Sequence, residues 1–94
     1  MPGPGVTIGY ESLTVGAAST PLASVPASAD HAVCTNETGQ IRFRIDGVAP
    51  TAAEGHLLEV GGTLNLEGKG ELANFRGIRT GGTSGVLKVS YGIY

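Results

Sequence analysis

Glycine and proline are placed so densely along this chain that no stretch long enough for a full helix escapes them. Ordering glycine in a helix costs the most backbone entropy, while proline removes a helical donor and clashes with the preceding turn. Sixteen glycines and five prolines among 94 residues, with 15% charged, describe short strands joined by frequent turns. The clearest strand follows Gln40. Ile41, Phe43 and Ile45 fall on one side and Arg42, Arg44 and Asp46 on the other, the two-residue repeat of a half-buried strand. Gly47 ends it, Pro50 stiffens the connection, and a second apolar run, Leu57 to Val60, returns.

Ninety-four residues support one core and no second domain. At this size roughly 60–65% of the unfolded surface is buried, so the core is modest and self-association would add stability. The chain divides into a Pro/Gly-rich extended arm over residues 1–9 and a single domain over 10–94. Within the arm, Met1 to Gly5 carries no apolar pattern, whereas Val6 to Val15 reads as the first strand. Gly9 marks a bulge or a close backbone approach inside it. Either Tyr10 and Ser12 or Glu11 and Leu13 point inward, and the alternation leaves both open.

Gly16 to Asp30, with Pro21 and Pro26, reads as a surface connection or a short edge strand around Pro21 to Val25. His31 to Asn36 is a strand with Val33 and Thr35 facing away from Ala32 and Cys34, and a turn follows it. Gly61-Gly62 between two apolar runs signals a tight hairpin. Thr63 to Glu67 alternates Leu64 and Leu66 against Asn65, and Gly68-Lys69-Gly70 turns the chain. Leu72 to Thr80 reads as a strand with a bulge at Gly77, which would let Phe75 and Ile78 share a face. After a Gly81 to Gly85 loop, Val86 to Gly92 closes the chain with Leu87, Val89 and Tyr91 inward. Seven or eight short strands at this spacing predict an all-β fold, a small two-sheet β-sandwich with the jelly roll as one form of it.

A net charge of −2 and six scattered basic residues leave no footprint for nucleic acid. No apolar run approaches the roughly 18 residues of a membrane span. The first ten residues have neither a charged region nor a continuous apolar one, so no secretory signal is expected. A single cysteine, Cys34, rules out an internal disulfide and fits a reducing cytoplasm.

The residue types that carry chemistry are sparse. His31 and Cys34 sit at a metal-like spacing, but three residues apart in a strand they point to opposite faces. Cys34 is expected to act as a small buried apolar residue. Glu54 and His56 could do acid–base work, yet no nucleophile or oxyanion donor accompanies them, and a turn bond or subunit contact is the plainer role. Glu59, Glu67 and Glu71 form no carboxylate pair. Asn36-Glu37-Thr38 matches a glycosylation triplet that, without a signal segment, carries no argument. The arginines say more: Arg42 and Arg44 on one exposed strand face, and Arg76 and Arg79 flanking Gly77 on another, form either a solvated sheet face or a surface for subunit or partner docking.

Tyr10 to Val15, Ile41-Arg42-Phe43-Arg44-Ile45-Asp46-Gly47, Pro50-Thr51 and Gly55-His56 together resemble small virion-associated proteins of tailed bacteriophages. So do Phe75-Arg76-Gly77-Ile78-Arg79-Thr80-Gly81, Ser84 to Leu87 and the closing Ser90-Tyr91-Gly92. The resemblance covers Tyr10 to Tyr94 and is one of pattern, with no catalytic motif to carry over; the Met1 to Gly5 leader departs from it. It implies a non-enzymatic structural protein, foremost a capsid decoration or cement protein on the outer shell. Such a protein is made in the host bacterial cytoplasm and resides in the virion. Its partners would be copies of itself, with a trimer favoured, and the major capsid protein or another virion protein. No cofactor, metal, nucleic acid or membrane is implied. Arg42, Arg44, Arg76 and Arg79 are the expected docking residues. The alternatives are a neck or tail adaptor, and a small carbohydrate-binding β-sandwich with Tyr10, Tyr91 and Tyr94 as its only aromatic candidates.

Overall fold

A computed structural model describes residues 6–94; the Met1 to Gly5 leader lies outside the described residues. The elements run β1 (Val6–Val15), β2 (His31–Glu37), β3 (Ile41–Arg44), β4 (His56–Leu58), β5 (Thr63–Glu67), α1 (Gly68–Asn74), β6 (Arg76–Arg79) and β7 (Gly85–Ile93). A four-stranded sheet in the order β1-β7-β2-β5 and a three-stranded sheet in the order β4-β3-β6 enclose one core. Every pairing is antiparallel. The fold is thus the expected all-β two-sheet sandwich. Four strands against three, in this order, depart from the eight-stranded jelly roll.

The core forms because alternation in strands of both sheets delivers apolar side chains to the same interior. Leu87, Val89 and Tyr91 of β7 are buried as expected, and Ala32 and Cys34 of β2 lie beside them. Ile41 and Phe43 of β3 close the interior from the other sheet. Burying each large side chain contributes about 1.5–3 kcal/mol, the main source of cohesion in so small a domain. In β1 the phase left open resolves toward Glu11, Leu13 and Val15 inward, with Tyr10 outside.

The bulge in β1 lies where Gly9 suggested. The register passes from Thr7↔Gly92 to Gly9↔Tyr91 and leaves Ile8 unpaired. A Cβ on Gly9 would stand 2.8 Å from Pro26 Cγ, so the close approach is real as well. Val6, Thr7 and Gly9 pair with β7, which places the end of the predicted arm inside the sheet. Gly16 to Asp30 is a connection; its one strand-like feature is an isolated bridge between Thr20 and Gly77.

Three local readings change in the structure. Gly61-Gly62 joins strands of different sheets and is not a hairpin turn. Gly62 N donates to Glu59 O at 2.9 Å, while Gly61 N and Asn36 N tie the turn to β2. Alternation marks a strand's buried face but not the sheet it joins. Second, Gly68 to Asn74 is a short helix. Its two glycines are poor helix formers, but Leu72 is 3% exposed and the Glu71 carboxylate accepts from Glu67 N at the helix start. Lys69 Nζ donates to Ala27 O and Ala29 O, both at 3.0 Å, and fastens the helix to the long connection. Third, β6 begins only at Arg76 and has no bulge, since its register with β3 is continuous through Phe43↔Gly77. Phase no longer needs rescuing, because Phe75 caps α1 before the strand starts.

Candidate functional site: the arginine face of the small sheet

β3 lies between β4 and β6, so its register fixes what surrounds each side chain. Directly opposed residues of an antiparallel pair project to the same side. On the inner side, Phe43 stands between His56 and Gly77. On the outer side, Arg42 stands between Leu57 and Ile78, and Arg44 stands opposite Arg76. Three arginines therefore share one outer face with an apolar row running through it. Arg79 does not join them. It pairs with Ile41 on the inner side, at the sheet's end, where its guanidinium reaches Ser84 Oγ at 3.5 Å.

The three outer arginines differ in what they hold. Arg42 donates to Ala52 O at 3.1 Å and Gly55 O at 2.9 Å, so its charge anchors the β3–β4 connection. Gly55 adopts φ +135°, and a Cβ there would stand 3.1 Å from Phe43 O, so the chain turns back at that point only with glycine. Arg44 donates to both oxygens of Asp46, with Nε 3.1 Å from Oδ1. That hydrogen bonding holds the Asp46 carboxyl below the usual carboxylate range and raises Arg44 above its ordinary value. Arg76 has no side-chain hydrogen-bond or ion-pair partner among the described residues. It is the free cation of the face.

A cavity of about 350 Å³ opens beside this face, lined by Arg44, Ile45, Asp46, Glu54, Gly55 and His56. Its Glu54 and His56 are the acid–base candidates of the sequence. Neither bonds the other, and the His56 ring lies 5.4 Å from the Phe43 ring, tilted by 38°. No grouping of three or more metal-ligating side chains occurs among the described residues. Cys34 is fully buried, and desolvation, with Glu11 adding to it, pushes its thiol up to about 12. A thiol held protonated in this way is not a nucleophile. His31 and Cys34 project to opposite faces, as their spacing required; the His31 ring stacks on Tyr94 at 4.1 Å and Nδ1 bonds Asp30.

Two residues carry more than their sequence context indicated. Asn36 is 0% exposed, and its amide donates to Gly39 O, Leu58 O and Glu59 O, stapling β2 to the β4–β5 turn. In the folded domain the Asn36 side chain of the glycosylation triplet is therefore inaccessible. Glu11 sits at the β1 edge, accepting from Tyr91 Oη, Ala23 N and Ser24 N. Tyr91 is 1% exposed and so leaves the set of aromatic ligand candidates. An inward carboxylate was one of the two phases of β1, but nothing local announces its partners, which come from two distant segments.

Comparison with protein-family models, curated proteins and solved structures finds no match to the chain, so the resemblance to phage virion proteins rests on the residue pattern alone.

Proposed function

We propose that the protein is a non-enzymatic structural subunit of a tailed-phage particle, a decoration protein that docks on the outer capsid surface and stabilises the head. The observation that carries the reading is the outer face of β3 and β6. All four arginines of the chain lie on these two strands, and three share one face beside the exposed Leu57. Arginine forks and an apolar contact suit docking on a carboxylate-bearing protein surface. Arg44 and Arg76 contact the shell, while Arg42 holds the neighbouring connection in shape. The resemblance supplies the particle, and the face supplies the chemistry.

Co-sedimentation of the protein with phage heads from the lysate in which it is made tests the reading. Binding in hundreds of copies per head supports decoration. A ring of about six or twelve copies would place the protein at the neck or tail. Absence from sedimented particles would overturn the reading.

A further inference from the structure

A sheet edge is a template for another strand unless something blocks it, and three of the four edges here are blocked. The β6 edge is covered by the long connection: Thr20 and Gly77 exchange backbone bonds at 2.8 and 2.9 Å, and Arg79 N donates to Gly16 O at 2.9 Å. The β4 edge is three residues long. The β1 edge carries the bulge at Ile8 and the inward Glu11 carboxylate, which binds the passing backbone of Ala23 and Ser24. β5 has none of these devices. Its register with β2 is unbroken, it contains no proline, and its inward residues are Leu64 and Leu66.

Which β5 groups face outward follows from the bonds at its two ends. Asn36 N donates to Gly62 O and Gly68 N to Asp30 O, so the even positions Gly62, Leu64, Leu66 and Gly68 direct their backbone to β2. Thr63, Asn65 and Glu67 direct theirs to the open edge. Glu67 N is already taken by the Glu71 carboxylate at 2.8 Å, which among the described residues leaves Thr63 and Asn65 with both backbone groups free and Glu67 with its carbonyl.

We propose that β5 pairs antiparallel with β5 of a second copy, about a two-fold axis at Asn65, joining two four-stranded sheets into one of eight strands. The strand is self-complementary in this register. Asn65 meets Asn65 and exchanges two backbone bonds; Thr63 meets Glu67, and each Thr63 N donates to a Glu67 carbonyl. Leu64, half-buried in one copy, meets Leu66 of the other and is covered. Glu67 faces a threonine, and the two Glu67 residues lie about 14 Å apart along the strands, beyond the screening length of about 8 Å. The contact is isologous and closes at two copies. It uses none of the outer arginines, so it stands or falls apart from capsid docking.

Light scattering on the full chain, over a dilution series, reads the state directly. The expected result is twice the 9.5 kDa chain mass for the wild type and the chain mass for Asn65→Lys, with unchanged circular dichroism. Lysine at the axis would put like charges directly opposite each other. Asn65→Pro removes the outward donor while leaving the bonds to β2 intact, and should also be monomeric. Asn65→Lys carries the test alone where the proline variant does not fold. In hydrogen exchange, the Thr63 and Asn65 amides should be protected in the wild type and exposed in Asn65→Lys. A monomeric or trimeric wild type, or a dimer that survives Asn65→Lys, would overturn the proposal; a trimer would instead favour the arrangement implied by the phage resemblance.

Discussion

Arg44 and Arg76 face each other across the β3–β6 pair, and Asp46 serves only the first. Like charges directly opposite in a sheet are unfavourable. The pair is thus a local cost, and under the docking proposal the Arg76 guanidinium is the one available to an external carboxylate.

Arg76→Glu should therefore separate stability from docking. It turns the like pair into an opposite one, so the urea midpoint should stay level or rise, while co-sedimentation with heads should drop sharply. Loss of both together would mean that Arg76 is structural, and the docking assignment would fail.

Asn36→Ala removes three donated bonds from a fully buried position and leaves Gly39 O, Leu58 O and Glu59 O without this donor. Urea denaturation should show a loss of about 1–3 kcal/mol.

Alkaline stability should be set mainly by two buried groups, with the exposed Tyr94, raised by its hydrogen bond to Glu67, adding in the same direction. Burial raises Cys34 from an ordinary value of 9.0 to about 12. Burial, and then the Glu11 hydrogen bond, raises Tyr91 well above its ordinary 10.0. Once pH passes the unfolded values, the unfolded chain loses these protons while the folded chain keeps them, so stability falls as pH rises. The slope should begin near pH 9, steepen near pH 10, and approach about 1.4 kcal/mol per pH unit for each group. Denaturation midpoints of Cys34→Ala and Tyr91→Phe should each fall less steeply over this range than the wild type.

Gly77→Ala adds a Cβ 3.2 Å from Val15 Cγ1 and 3.3 Å from Phe75 Cζ, between the two sheets. Crowding there should cost about 1–3 kcal/mol. Gly70→Ala, in open space on α1 at an ordinary φ, should be neutral or slightly stabilising. Equal losses at the two positions in thermal or urea unfolding would contradict the packing described for Gly77.

Much of the architecture is legible in short windows because strand alternation is a local property. β1, β2, β5 and the inward set of β7 follow from period two and flanking turn residues. The misreadings share a cause, which is that local signals do not specify partners. Gly61-Gly62 carries the same residues whether it closes a hairpin or passes between sheets. Gly68 and Gly70 oppose a helix until Leu72 and Lys69 find anchors in the fold. The four arginines were legible as cations on the polar side of their strands, and the structure leaves all of them half-buried. Arg76 and Arg79 are three residues apart, a spacing that puts them on opposite faces of a regular strand; the bulge expected at Gly77 obscured this, and the unbroken register against β3 restores it.

The sequence by itself determined that this chain is built of short strands, which side of most of them is apolar, and that its few polar reactive groups are scattered. These are consequences of backbone preference and side-chain period, felt within a few residues. Only the tertiary structure decided which strands pair, which edges are covered, and which charges meet. Arg44 comes to face Arg76, Glu11 gathers bonds from Tyr91 and the long connection, and Asn36 staples β2 to the β4–β5 turn. Each depends on segments far apart in the chain, whose meeting is set by the burial of a common core.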